Sequence, residues 1–152
     1  MQISQILKQT SVIVPLKSNN KEEVITELID RLSENGLITD RDEVLDAVMT
    51  REMTRSTGIG QGIAIPHGKS KSVSDLTMAV GIAQSDVDFD SIDNKPVRIV
   101  LMLISPVGQT GPHIQALAKI SRLMLDGDFR KSLVEATSPE EAYSLLCSKD
   151  SE

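Results

Sequence analysis

The sequence predicts an α/β fold: a mixed β-sheet flanked by helices on both sides, forming a single-domain sandwich over residues 1–152 with its core at about 2–147. Three observations carry that expectation. Amphipathic helical stripes fill residues 20 to 54 and return after residue 113. Two apolar runs of strand character, LTMAVGIA and PVRIVLMLISP, lie between them. A chain of 152 residues is long enough for one well-buried core and short for two.

The opening segment places Ile3, Ile6 and Leu7 at helical spacing and is followed by the β-prone Val12, Ile13 and Val14 before Pro15, so a short helix and a strand are expected. Asn20 then precedes KEEVITELIDRLSENG, where Val24, Leu28, Ile29 and Leu32 form one stripe and Gly36 supplies a left-handed stop. Asp40 with Glu43 reads as a capping box for a second helix with Val44, Leu45, Val48 and Met49 inward, and this helix delivers Arg51 near its end. From Thr54 to Gly62 helical periodicity stops, and STGIGQG concentrates glycines in what reads as a tight, shaped loop.

Ile63 to Ile65 predicts a brief strand that presents His67 just beyond its end. LTMAVGIA and the near-continuous PVRIVLMLISP predict longer strands, the second of them central. DVDFDSIDNKP reads as a short edge strand and a turn at Asp93, Asn94 and Lys95. A helix over His113 to Leu125 is expected to turn Ile114, Leu117, Ala118, Ile120 and Leu123 inward, and another covers Phe129 to Ala136. Ser138, Pro139 and Glu141 start the last helix, with Ala142, Leu145 and Leu146 inward.

Composition narrows the function. Aromatic residues are 2% of the chain and the net charge is −6, which removes stacking platforms and opposes a phosphate backbone, so no nucleic-acid partner is expected. No apolar run approaches a membrane span, and MQISQILKQ lacks the pattern of a signal peptide, so the expectation is a cytoplasmic protein without direct membrane insertion. Cys147 has no partner for an internal disulfide.

Two histidines occur, both beside glycine and proline: Pro66-His67-Gly68 and Gly111-Pro112-His113. Imidazole is largely neutral and nucleophilic near pH 7, so it can form a covalent phosphoryl intermediate. His67 next to a glycine-rich loop, whose amides can donate to phosphoryl oxygens, suggests that use more strongly than a simple turn residue.

Gly62 to Ser70 imitates a nucleotide-binding P-loop by ending Gly-Lys-Ser, but IAIPH puts five residues between the glycines where four are needed, and Pro66 removes a backbone donor. Gly58, Gly60 and Gly62 miss the dinucleotide spacing because Ile63 stands where the third glycine belongs. Two histidines and one cysteine, widely separated, form no metal-ligand pair, and no cofactor is expected.

STGIGQGIAIPHGKS resembles the active-site signature of the enzyme IIA domains of the bacterial phosphoenolpyruvate-dependent sugar phosphotransferase system, in the mannitol, fructose and nitrogen-regulatory family. TRE with Arg51, FDSIDNKPVRIVLMLISP and PHIQALAKISRLM with His113 fall where that family has them, so the resemblance covers nearly the whole chain. It implies that His67 accepts a phosphoryl group, on Nε2, from an HPr-type phosphocarrier or its nitrogen-branch equivalent. Arg51 is then a cation for the phosphoryl oxygens, His113 a neighbour of His67, and Gly60, Gly62 and Gly68 a phosphoryl-binding loop. Lys69 reads as an exposed charge.

The chain is thus expected to be a phosphotransferase component that forms a transient phosphohistidine without turning over a small molecule of its own. Its acceptor is either a sugar-specific IIB domain or, favoured slightly because no IIB or membrane domain is fused within these residues, a set of regulatory target proteins that read the added charge. The alternative is a regulatory protein-binding domain that is never phosphorylated.

Overall fold

A computed structural model describes all residues, Met1–Glu152. The chain runs α1 (Ile3–Ile6), β1 (Leu7–Ile13), α2 (Lys21–Glu34), α3 (Arg41–Thr54), β2 (Gly58–Gly60), β3 (Ile63–Ala64), β4 (His67–Lys69), β5 (Thr77–Val87), β6 (Val97–Ser105), α4 (Thr110–Leu123), α5 (Gly127–Val134) and α6 (Pro139–Asp150).

Local chemistry starts the helices where the caps stand. The side chains of Asn20, Asp40 and Ser138 accept hydrogen bonds from the amides of Glu23, Glu43 and Glu141, which satisfies one orphan donor at each helix start. Pro139 occupies the first turn of α6, where its missing N–H costs nothing.

The six strands form one mixed sheet in the order β1-β5-β6-β3-β2, with β4 also paired to β6. β6 is central, antiparallel to β5 and parallel to β3 and β4. β3 and β4 are two pieces of a single line. Ile63 pairs with Ile99, Ala64 with Val100 and His67 with Leu103, so the register passes unshifted through Ile65 and Pro66. Pro66 has no N–H to give, yet its carbonyl accepts from the Leu103 amide at 3.0 Å, which keeps the line bound to β6.

Alternation along β6 divides the core. Val100, Met102 and Ile104 face α2 and α3 in one apolar cluster, while Ile99 and Leu101 face Ile120, Phe129, Leu133, Ala142 and Leu146 of the later helices in another. The sheet is therefore covered on both faces, as the sequence predicted.

Four expectations change. The first strand begins earlier, at Leu7, with Ile3 and Leu7 both fully buried. The segment after Thr54 is not all loop, since Gly58–Gly60 is a strand paired antiparallel to β3. No separate edge strand forms at DVDFDSIDNKP: Val87 ends the long β5, Phe89 lies outside any strand, and the edges of the sheet are β1 on one side and β2 and β4 on the other. In α4 the inward residues are His113, Ala116 and Ile120, whereas Ile114 is 59% exposed and Ala118 is also exposed. An imidazole, not an isoleucine, begins the buried stripe of α4.

Candidate active site

His67 opens β4 and is fixed by the strand, not carried beyond its end. Side chains alternate along the β3–β4 line, so its ring shares the face of Ile63 and Ile65, which is the face that α4 covers. The ring is half-buried, and Nδ1 lies 2.9 Å from the carbonyl oxygen of Ile65. A carbonyl can only accept, so Nδ1 carries the proton and donates, which leaves the lone pair on Nε2. Burial holds the His67 pKa below its ordinary value, opposed by the Ile65 carbonyl, with Arg51 lowering it further and Glu52 raising it. The ring is accordingly neutral at pH 7, the form a nucleophile needs.

His113 lies in the first turn of α4, 6% exposed, with its ring centroid 5.3 Å from that of His67 and the two planes tilted by 59°. Its Nδ1 is 2.5 Å from Ser105 Oγ at the end of β6. Burial first, then the neighbouring His67 and Lys69, push its pKa from 6.5 down to about 4. Lys69, expected only as an exposed charge, donates from Nζ to Thr110 Oγ1 at 3.2 Å and so ties β4 to the start of α4.

Arg51 is in the last turn of α3, and its Nη1 donates to the Arg55 carbonyl at 3.1 Å. Gly68 explains how α3 comes so near the strand. A Cβ at Gly68 would stand 3.1 Å from Val48 Cγ2 and 3.3 Å from the Val48 backbone nitrogen. Absence of a side chain there lets helix and strand approach closely, and that approach sets Arg51 beside His67.

A cleft of about 250 Å³ is lined by His67 and Arg51 together with Arg55, Ser56, Thr57, Ile59, Ile65, Ile92, Leu117 and Ser121. The structure therefore brings His67, Arg51 and His113 together. Gly60 and Gly62 are not among the residues around His67. They form the turn between β2 and β3, with φ of 96° and 77°, and Gln61 between them is at 61°. Consecutive positive φ angles are what a tight hairpin requires, and this accounts for the glycines. Gly62 precedes His67 by five positions of a strand-like line, about 16 Å at the usual rise. The glycine-rich stretch builds the hairpin and the α3 contact: Gly68 adjoins His67, while Gly60 and Gly62 lie in the hairpin and do not line the cleft.

Sequence reasoning missed the buried ion pair behind the cleft. Glu52, 3% exposed, accepts from the Thr57 amide at 2.9 Å and from Thr57 Oγ1 at 2.5 Å, and it pairs with Lys21 Nζ at 2.8 Å. Lys21 also donates to the Phe89 carbonyl at 3.3 Å. Ser56 Oγ bonds the same carbonyl. This network holds Ser56 and Thr57 where they line the cleft. A signal was present: Glu52 continues the buried series Val44, Val48 at four-residue spacing, and a carboxylate on an apolar stripe is buried only with partners.

No three or more His, Cys, Asp or Glu side chains gather where a metal ion could be held. No helix is long and apolar enough to cross a membrane.

Residues 5–149 match the family described as phosphoenolpyruvate-dependent sugar phosphotransferase system, EIIA 2. The fructose-specific EIIABC component of Bacillus subtilis is 35% identical over 99% of this chain, and the chain spans only 24% of that relative's length. The fructose-specific EIIA component of Haloferax volcanii is 37% identical over 83% of the chain and 82% of its own length. Among solved structures, the nitrogen regulatory protein IIA-Ntr of Neisseria meningitidis superposes with a TM-score of 0.87 at 31% identity, covering 95% of this chain and 98% of that one. A mixed sheet between two helical layers, two facing imidazoles beside an arginine, and a match over nearly all its length place this chain in the EIIA type 2 family of the phosphoenolpyruvate-dependent sugar phosphotransferase system.

Proposed function

We propose that this protein is a cytoplasmic phosphoryl carrier in which His67 Nε2 takes a phosphoryl group from the phosphohistidine of an HPr-type carrier and hands it on. The observation that supports this best is the hydrogen bond between His67 Nδ1 and the Ile65 carbonyl, because a ring that donates from Nδ1 carries its free electron pair on Nε2.

In the step proposed, the Nε2 lone pair forms the new N–P bond as the donor's N–P bond breaks. The donor imidazole leaves with the electron pair of the broken bond. The proton on Nδ1 stays in place, and the Ile65 carbonyl faces the positive charge that develops on the phosphorylated ring. No proton has to move on the acceptor side. Arg51 offers planar donors to the phosphoryl oxygens, and the neighbouring His113 adds a neutral donor, so that positioning and electrostatics supply the catalysis.

Family membership supports a IIB domain as one acceptor, and the nitrogen regulatory relative supports a second output, in which roughly −1.5 to −2 units of added charge alter protein contacts. Intact-mass measurement after mixing the protein with phosphoenolpyruvate, enzyme I and HPr, beside a His67→Ala variant, tests the carrier. One acid-labile phosphoryl adduct absent from the variant is expected; an adduct retained by the variant would overturn the site. Adding purified IIB domains then separates the outputs, since rapid stoichiometric loss of label to one of them marks a relay and a persistent phosphoprotein marks a regulator.

A further inference from the structure

Ser105 closes β6 and is completely buried. Its backbone carbonyl is occupied by the Ser70 amide at 2.9 Å, while its hydroxyl has a single hydrogen-bonding neighbour, His113 Nδ1 at 2.5 Å. A hydroxyl carries a hydrogen that must go to an acceptor. If His113 Nδ1 were protonated and donated to Ser105 Oγ, the Ser105 hydrogen would be sealed in the interior with nowhere to go, at a cost of about 1–3 kcal/mol. If Ser105 donates instead, both groups are satisfied.

We infer that Ser105 is a positioning residue that donates its hydroxyl hydrogen to His113 Nδ1 and thereby holds His113 as the Nε2–H tautomer, aimed as a neutral donor at the group carried by His67. That last clause rests on the phosphoryl-carrier reading of the site; the tautomer does not. The far edge of the His113 ring fits the assignment. Nε2 makes no hydrogen bond, yet it is not a sealed atom, because Ser91 Oγ is the one buried side-chain nitrogen or oxygen without a partner.

The two histidines are then set in opposite tautomers by the sheet beneath them. His67 donates a hydrogen bond from Nδ1 to the Ile65 carbonyl and keeps a lone pair on Nε2. His113 accepts a hydrogen bond at Nδ1 from Ser105 at the end of β6 and keeps N–H on Nε2. A lone pair and a donor therefore face one small volume, the combination an incoming phosphoryl group needs: one atom to attack phosphorus and one to bind its oxygens. Had both rings taken the same tautomer, the site would hold either two competing lone pairs or no nucleophile.

Long-range ¹⁵N spectra of the imidazoles in the unphosphorylated full chain at pH 7 test the inference directly, with Ser105→Ala and Ser105→Thr beside the wild type and folding checked by amide spectra. In the wild type, His113 is expected to show an unprotonated Nδ1 and a protonated Nε2. Ser105→Ala is expected to give mixed tautomers and roughly tenfold slower phosphoryl uptake from phosphorylated HPr, and Ser105→Thr, which keeps the hydroxyl, to restore both. A wild-type His113 protonated on Nδ1 would overturn the assignment, and so would a Ser105→Ala protein that keeps the wild-type tautomer, whatever its rate. Should Ser105→Ala fail to fold, the wild-type spectrum still decides. Should no phosphoryl group be taken up by any variant, the carrier reading fails while the ring spectra continue to report on Ser105.

Discussion

His67 Nδ1 sits 2.9 Å from the carbonyl oxygen of Ile65, two residues earlier on the same line of chain. Pro66 between them cannot donate and is itself buried, and the stretch of backbone that brings this carbonyl under the ring joins β3 to β4. The adduct is therefore expected on Nε2. Phosphorus–nitrogen couplings in the ¹⁵N-labelled phosphoprotein check this, and a phosphoryl group found on Nδ1 would show that the ring turns over before it reacts.

Two glycines separate packing from chemistry. Gly68→Ala puts a methyl group against the Val48 backbone and is expected to destabilise the fold by about 1–3 kcal/mol, and by moving α3 to slow phosphoryl uptake at least roughly tenfold. Gly62→Ala would meet only the Pro96 carbonyl oxygen, at 3.9 Å, but has φ of 77°, so about 1 kcal/mol of strain is expected with a wild-type rate of uptake. Urea unfolding and stopped-time labelling of the two variants make the comparison. Equal loss of rate in both would return the hairpin glycines to the site.

Removing either half of the Lys21–Glu52 pair takes a buried charge's close counter-ion away. Glu52→Ala should cost about 3 kcal/mol in urea unfolding, because Lys21, its side chain only 11% exposed, is left with the Phe89 carbonyl and with Asp90 at 3.7 Å. Replacing both residues with methionine is expected to be milder than the sum of the two single methionine changes. An additive double variant would show that the two charges do not depend on each other.

Acid should weaken the fold in a window defined by His113. Its pKa is about 4 in the folded protein and 6.5 when free, so between those values the unfolded chain binds a proton that the folded chain lacks. Stability contributed by the neutral ring is complete above about 6.5, falls as pH drops, and levels off below about 4. The slope for one such proton is at most ~1.4 kcal/mol per pH unit. Lowered His67 adds a loss of the same sign. Urea midpoints from pH 7 to 4.5 should fall less steeply in His113→Gln than in the wild type; parallel curves would mean that the buried ring is not the sensor.

Much of this fold is visible in the chain because its signals are local. Asn20, Asp40 and Ser138 start helices by bonding to amides three positions on, and the apolar run from Val97 is central because both of its faces are covered. What escaped was set by contacts across the sheet. Ile114 and His113 are adjacent in sequence, and only the docking of α4 on β6, with Ser105 waiting as a partner, decides that the imidazole goes in and the isoleucine out. The glycines are the converse case. Their density signals unusual backbone, correctly, but backbone geometry alone does not say whether it serves a turn, a helix contact or a ligand. Glu52 was hidden by its type, since a glutamate is read as surface until Lys21 and Thr57 are known to meet it.

The unshifted register from Ile63 through His67 to Lys69 along β6 has a consequence for anything that must tell two forms of this protein apart. A side chain rooted in a strand bonded to the centre of a sheet is no swinging arm. If His67 carries a phosphoryl group as proposed, the added charge would alter the surface potential without requiring the strand to move. A listener would have to sense voltage, and at physiological ionic strength voltage fades over about 8 Å. On that reading, a protein that distinguishes the loaded from the empty form is expected to place charge or hydrogen-bond donors of its own within that radius of His67, and its discrimination should fade as salt is raised.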